Sequence, residues 1–220
     1  FKGSKILGCT ATPIVYKRIT FFKCPLCKTK YDTLTNCCGS ETVERSRPFT
    51  MSEIYNDIVV GASIGDLIEM GNLVQEITFV KNYTDNSHLK IDSKTGDYTE
   101  NSITEAYTDS NALFNVVLNY EEICKDKKTI VFNGSSKSNK LVYEKFIEAG
   151  HNARMFDSVN KELSGNRKEL VNWFKTTPNA ILCNVGVFTT GFDVTDVQAI
   201  IVNRPTESLS LYLQMVGRGG

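Results

Sequence analysis

From residue 129 onward, short apolar runs alternate with longer amphipathic stretches, and this alternation restricts the fold more than any other feature of the chain. The runs TIVFN (129–133), AILCNV (180–185) and VQAIIVN (197–203) are too short for helices and apolar at most positions. Such runs suit strands covered on both faces, the usual situation in a parallel sheet. The stretches between them carry a helical period. In SKSNKLVYEKFIEAG, Val142, Phe146 and Ala149 share one face and Gly150 ends the pattern. ARMF (153–156) reads as another strand, and SGNRKELVNWFKTT (164–177) and SLSLYLQMV (208–216) read as helices. A longer helix is predicted over about 101–126. Strand and helix alternating through short connections predict an α/β fold with a doubly wound parallel sheet. Ligands of such sheets collect at the carboxyl ends of the strands. Those ends read NGSS (133–136), NVGVFTTGFD (184–193) and NRPTES (203–208).

The first third of the chain is less regular. KILGCTAT (5–12) reads as a buried strand closed by Pro13, and a cysteine-rich excursion follows at about 17–47. Residues 50–71 carry two short helical patterns, the second with Ser63 as N-cap and Gly71 as stop. VQEITFVKNY (74–83) alternates like a strand, and the polar stretch after it is a loop. A domain boundary is therefore expected in this region, giving one domain over 1–72 and a second over 73–220. The 25 basic and 25 acidic residues cancel, so no global field advertises a polyanionic partner, although a neutral total is compatible with a local basic groove. No apolar run is long enough to cross a bilayer and no charged-then-apolar leader opens the chain, so a soluble intracellular protein is expected. The start at Phe1, in mid-pattern, reads as a piece of a longer polypeptide.

Several residues could carry chemistry. In NVGVFTTGFD, glycines and the hydroxyls of Thr189 and Thr190 follow a buried strand, where phosphate oxygens could dock; Asp193 adds a carboxylate able to accept from a ribose. An ordinary strand-to-loop turn is the alternative. In QMVGRGG, Arg218 stands between glycines, and its fixed fork of donors suits a transferring phosphoryl group. A surface arginine beyond a helix is the plainer account.

GCTATP (8–13), TIVFNGSS (129–136), NVGVFTTGFDV (184–194) and IIVNRPTESLSLYLQMVGRGG (200–220) occur together in this order. Order and spacing resemble motifs III, IV, V and VI of superfamily 2 helicases, nearest the DEAD/DEAH-type branch that includes XPB-like, RecG-like and phage or poxvirus DNA-dependent ATPases. The stretch YNDIVVGASIGDLIEMGNLV (55–74) also resembles the exit from that branch's first RecA-like domain. The resemblance implies the end of one RecA-like domain, a zinc-knuckle insertion, and most of a second RecA-like domain, cut within motif VI. It implies that Thr10, Ala11 and Thr12 couple nucleotide state to nucleic-acid grip. Gly134 and Ser135, with Thr189 and Thr190, would line the nucleic-acid backbone, and Arg167, beside Ser164, would add a contact. Gly191, Asp193 and Gly217 would lie at the ATP cleft, and Gln214 and Arg218 would reach the γ-phosphate. Many relatives carry an acid where Thr190 stands. The implied activity is an ATP-dependent helicase or translocase using ATP with Mg²⁺ on DNA, as a single strand, fork or branched duplex, with RNA as the alternative; a non-enzymatic nucleic-acid-binding module of the same fold is the rival. No G-x-x-x-x-G-K-[ST] loop and no Asp-Glu dipeptide occurs in these 220 residues, so on their own they are expected not to hydrolyse ATP.

Four of the seven cysteines lie between 24 and 38, as Cys24-x₂-Cys27 and the adjacent pair Cys37 and Cys38. Four thiolates make a closed, structural zinc site. Adjacent cysteines on a strand point to opposite faces, and Gly39 could permit the turn that reunites them. Free thiols, or a ligand from elsewhere, are the alternative. The cations nearby, Lys17, Arg18, Lys23, Lys28 and Lys30, read first as a solvated basic loop and second, with Phe21, Phe22 and Tyr31, as a DNA-facing wedge. Cys9, Cys124 and Cys183 read as small buried hydrophobes, His88 and His151 as surface residues, and Trp173 and Phe174 as core.

Overall fold

The computed structural model describes residues 18–48, 55, 57, 59–81, 84–93, 95–157, 166–186, 194 and 196–219. The chain divides into two compact units, residues 1–61 and 62–220. The predicted strand at 5–12 and most of the first helical pattern after residue 50 lie outside the described residues.

In the first unit, β1 (Arg18–Lys23) pairs antiparallel with β2 (Lys30–Tyr31) on one side. A hairpin of β3 (Asn36–Cys37) and β4 (Ser40–Glu41) follows. Then β5 (Val43–Pro48) pairs along the other side of β1, giving the order β2-β1-β5. The β3–β4 hairpin turns on Cys38 and Gly39, whose φ of 54° and 75° are the two positive values that a two-residue type I′ turn requires.

The second unit begins with α1 (Ile64–Glu69). The Ser63 hydroxyl accepts from Asp66 N while the Asp66 carboxylate accepts from Ser63 N, and Gly71 ends the turn at φ 73°. Residues 74–81, predicted as a strand, form none among the described residues; Val74, Ile77, Phe79 and Val80 are exposed. Alternation specifies a face to bury, and a strand forms only where a neighbour supplies the ladder. The long helix predicted over 101–126 is broken into α2 (Glu100–Tyr107) and α3 (Ser110–Asn119), followed by a π-helical turn (Tyr120–Cys124). Asp109 causes the break, because its carboxylate accepts from Asn111 N and caps a new helix.

The sheet comes next, and it has the predicted doubly wound, RecA-like α/β form. Its elements are β6 (Thr129–Asn133), α4 (Ser136–Glu148), β7 (Ala153–Asp157), α5 (Arg167–Thr176), β8 (Ile181–Val185), β9 (Ala199–Asn203) and α6 (Leu209–Val216). All four strands run parallel in the order β7-β8-β6-β9. Alternate residues feed two cores. Val131, Ile181, Cys183 and Met155 pack on α3 and α4 through Val116, Tyr120, Val142 and Phe146. Ile130, Phe132 and Leu182 pack on α5 and α6 through Leu170, Phe174 and Met215. Both faces are therefore apolar, which is why the strands read as unbroken runs; each large buried side chain contributes about 1.5–3 kcal/mol by leaving water. Phe174 is core as predicted, with Trp173 partly buried against it. Cys183 is fully buried, which pushes its thiol pKa up, and Cys124 is half-buried.

His88 is at the surface as expected, but His151 is not: its side chain is 16% exposed, its ring packs edge-on against Tyr120 and Phe146, and Nε2 lies 2.6 Å from Glu121 Oε1. The residue follows a helix end, yet Gly150, at φ 83°, turns it back under α4. Among the described residues no helix is long and apolar enough to cross a membrane.

Candidate functional site

At the carboxyl edge of the sheet β6 and β9 end in register, Asn133 beside Asn203. Asn203 Nδ2 donates to Asn133 Oδ1 (2.7 Å), Asn133 Nδ2 to Asn139 Oδ1 (2.9 Å), and Asn139 Nδ2 to the Phe156 carbonyl (3.2 Å). All three asparagines are buried, so this chain of amides locks β6, β7, β9 and α4 together where the loops begin.

Gly134 and Ser135 sit on that platform. Ser135 is fully buried as the N-cap of α4: its hydroxyl accepts from Ser138 N, and Ser138 Oγ accepts from Ser135 N, each at 3.2 Å. Its hydroxyl thus fixes the shape of the loop. Gly134 has a packing reason to be glycine, since a Cβ there would stand 2.2 Å from Ile103 Cγ2 and 3.3 Å from Arg204 Cβ. Gly134→Ala is expected to cost about 1–3 kcal/mol through overpacking, a fall in Tm of roughly 2–10 °C for a unit of this size. Thermal denaturation checks this, and an unchanged Tm would mean that α2 yields without cost.

A second feature of this edge escaped the sequence reading. Residues 90–93 and 95–99 form a small lobe, bridged between Ile91 and Tyr98, that clasps the chain leaving β9. Asp97 Oδ1 accepts from Glu207 N (2.9 Å), and Oδ2 accepts from Thr206 Oγ1 (2.9 Å) and Arg204 Nη2 (3.3 Å). Tyr98 adds a hydroxyl that donates to Glu207 Oε1. Burial lowers the Arg204 pKa from its ordinary value, against the opposing pull of Asp97. The only sequence signal was the pair Ile91 and Tyr98 flanking a Thr-Gly turn, inside a stretch that reads as polar loop.

Of the remaining residues singled out from sequence, Thr10, Ala11, Thr12, Thr189, Thr190, Gly191 and Asp193, with Ser164, lie outside the described residues. Arg167 is the first residue of α5 and exposed, with Asn166 capping that helix. Gln214 lies in α6, its Nε2 3.5 Å from Ser210 Oγ. Gly217 caps α6; its N–H donates to the Leu213 carbonyl, and a Cβ there would meet that same oxygen at 2.9 Å. Arg218 N donates to the Met215 carbonyl (3.2 Å), and a Cβ on Gly219 would touch Ile200 Cγ1 at 3.0 Å. Ile200 is near the start of β9, so α6 has carried the chain back along the sheet. The structure therefore joins Gly134 and Ser135 to the exit of β9 but sets Arg218 toward the opposite end of that strand.

The four cysteines converge in the first unit, all four Sγ atoms lying within 4.8 Å of one another. Cys27 Sγ is 3.5 Å from Cys37 Sγ, which is 3.7 Å from Cys38 Sγ. A tetrahedral ion with bonds of about 2.3 Å requires sulfur–sulfur edges of roughly 3.8 Å. The first pair is shaped by a tight turn in which Lys28, at φ 65°, donates to the Cys24 carbonyl (3.1 Å) and Cys24 N donates to the Thr29 carbonyl (2.9 Å). The adjacent pair is reunited because Cys38 itself has left the extended conformation at the hairpin turn. Hydrogen bonds from Thr29 draw the Cys27 thiol down to about 6, while Cys38 is pushed up to about 12 by the Cys27 and then the Cys37 sulfur. Tyr31 donates to Cys37 Sγ (3.0 Å) and is likewise pushed up to about 12 by that bond. Four thiolates this close repel one another, and a cation is what permits all to ionise together.

Residues 109–220, just over half of the chain, match the family described as the helicase conserved C-terminal domain. A "51.5 kDa protein" of a Lactococcus phage is 31% identical over 74% of this chain and 35% of its own length. The "Putative ATP-dependent helicase IRC3" of Saccharomyces cerevisiae is 27% identical over 82% of this chain and 26% of its own length, so the chain spans about a third or less of these relatives. Among solved structures, the Hef helicase domain of Pyrococcus furiosus aligns over 48% of this chain and 21% of that one, at 20% identity and a TM-score of 0.36. With its four-stranded parallel sheet and this match over residues 109–220, the chain belongs to the helicase conserved C-terminal domain family.

Proposed function

We propose that these residues are the nucleic-acid-gripping and ATP-sensing half of an ATP-dependent DNA helicase or translocase. ATP with Mg²⁺ binds between a first RecA-like domain, whose end is residues 1–72 with the cysteine insertion at 17–47, and the second domain at 73–220. Thr10, Ala11 and Thr12 couple the two. Gly134, Ser135, Thr189, Thr190 and Arg167 follow one strand of DNA by its phosphates, while Gly191, Asp193, Gly217, Gln214 and Arg218 close on the nucleotide. Zinc held by Cys24, Cys27, Cys37 and Cys38 staples the insertion.

The observation that supports this reading best is the separation of the two groups on one sheet, Gly134 and Ser135 at the carboxyl edge and Arg218 toward the other end of β9. A motor must hold its track and its fuel at different places on one rigid body, so that a change at the fuel moves the track site as a unit. The test is ATP hydrolysis by the protein that joins these residues to a phosphate loop and an acidic box, measured with and without nucleic acid. Hydrolysis is expected to rise at least severalfold with DNA, and less with RNA of the same sequence. The 220 residues alone are expected at background. Hydrolysis indifferent to any nucleic acid would sink the motor reading, and a stronger response to RNA would reassign the track.

A further inference from the structure

We propose that the outward face of the β2-β1-β5 sheet is a second nucleic-acid docking surface, taking the phosphate backbone without regard to sequence. The proposal rests on the nucleic-acid reading above and adds a site to it. Partners directly opposite in an antiparallel pair project to the same side. Phe21 faces Arg45, Ile19 faces Arg47, and Lys23 faces both Val43 and Lys30. One face therefore gathers Lys23, Lys30, Arg45 and Arg47. The other carries positions Arg18, Thr20, Phe22, Tyr31, Glu44, Ser46 and Pro48. The only acid of the three strands, Glu44, is thus on the opposite side from four of their five cations.

The two faces have different surroundings. Tyr31 reaches Cys37 Sγ with its hydroxyl, so the cysteine cluster covers the Phe22–Tyr31 side and the basic side turns away from it. Lys30, Arg45 and Arg47 are exposed and Lys23 is partly so. Lys30 Nζ stands 5.0 Å from the centre of the Phe21 ring. One face of the Phe21 ring therefore supports a cation and not a stacked base, which favours phosphate contact there. Strands about 4.8 Å apart with a rise of about 3.4 Å per residue spread the four cations over roughly 10 by 14 Å, so each lies within about one screening length of its neighbour at physiological salt and the patch spans about two. Their fields add over that width, although the net charge of the chain is zero. Four cations on a face where the described strands place no acid are complementary to a polyanion, and a groove elsewhere that tracks one strand leaves the adjoining duplex or the displaced strand to be held by such a patch.

The test is equilibrium binding of the whole protein, without nucleotide, to a DNA duplex and to a DNA single strand over a range of salt. Arg45→Gln with Arg47→Gln removes two phosphate contacts, so the slope of log affinity against log salt should flatten by about 1.8 on duplex or about 1.4 on a single strand. Arg45→Lys with Arg47→Lys keeps the charge and should keep the wild-type slope. Lys23→Gln with Lys30→Gln, on the same face, should flatten it as the first pair does and gives the answer if the first pair misfolds by circular dichroism. Wild-type binding with unchanged slopes in the glutamine variants would overturn the proposal and leave the motor reading standing. Equal loss in the lysine and glutamine pairs would also overturn it, since shape and not charge would then be at work. Failure of the wild-type protein to bind either DNA would remove both.

Discussion

In the protein that joins these residues to a phosphate loop and an acidic box, replacing Arg218 with alanine is expected to lower ATP turnover by about three orders of magnitude or more, and to leave affinity for DNA within about twofold. The size follows from the role: an arginine that meets the charge developing on a transferring phosphoryl group is worth roughly 10³–10⁵ in rate. The structure supports a position held for such a task. Gly217 is closed down on the Leu213 carbonyl, the Arg218 N–H is tied to Met215, and Met215 is itself fixed in the core under α6. An arginine mounted this way starts from a set backbone position, so little ordering is left for the moment of reaction. Arg218→Lys should recover little, because a point charge does not reproduce the planar fork. Gln214, one turn earlier on α6, belongs to the same surface, and Gln214→Ala should cost less than Arg218→Ala because it removes no charge. The measurement is steady-state hydrolysis at saturating DNA, beside a DNA titration without ATP. Unchanged hydrolysis takes Arg218 out of the chemistry, and a fall in DNA affinity with hydrolysis intact makes it a backbone contact.

The sheet was legible in the sequence because both of its faces are buried. TIVFN, AILCNV and VQAIIVN are apolar at most positions since Val131 and Ile130 look into different cores, and no polar face interrupts the run. Capping chemistry was also local enough to read, at Ser63 and Gly71 as at Gly150. What stayed hidden depends on partners far along the chain. The alternation of residues 74–81 is real, but no described neighbour pairs with it. The break at Asp109 lay inside an apolar period that continues across it, and only the side-chain bond to Asn111 N decides that the helix restarts. Asp97 binds residues more than a hundred positions later, and nothing about an aspartate in a Thr-Gly-Asp turn says so. Of the candidate site, motif order located Gly134 and Ser135 correctly at a strand end. It could not show that Ser135 is a buried cap, that Gly134 is glycine to admit Ile103, or that Arg218 lies toward the other end of the sheet.

With zinc proposed at the cysteine cluster, chelation is expected to unfold the 18–48 region while the parallel sheet stays folded. Among the described residues of that region only Cys24 and Thr42 are fully buried. Three short antiparallel strands with one charged face cannot hold themselves together by hydrophobic burial, and small units of this kind rely on a staple. A closed four-thiolate zinc site supplies an apparent 10–16 kcal/mol in small domains, roughly, which is folding free energy wherever the unfolded chain has no site. The sulfurs already stand at about the edge length of such a site, and losing one ligand opens it. Protein dialysed against buffer should therefore retain one zinc per chain, and Cys37→Ser should lose it, with amide exchange becoming fast over β1 to β5 and remaining slow in β6 and β8. Cys124→Ser, whose sulfur packs beside the α3–α4 core, should keep the metal. Less than half an equivalent of zinc in the wild-type protein would remove the site, and slow exchange in the metal-free sheet would show that the strands hold without it.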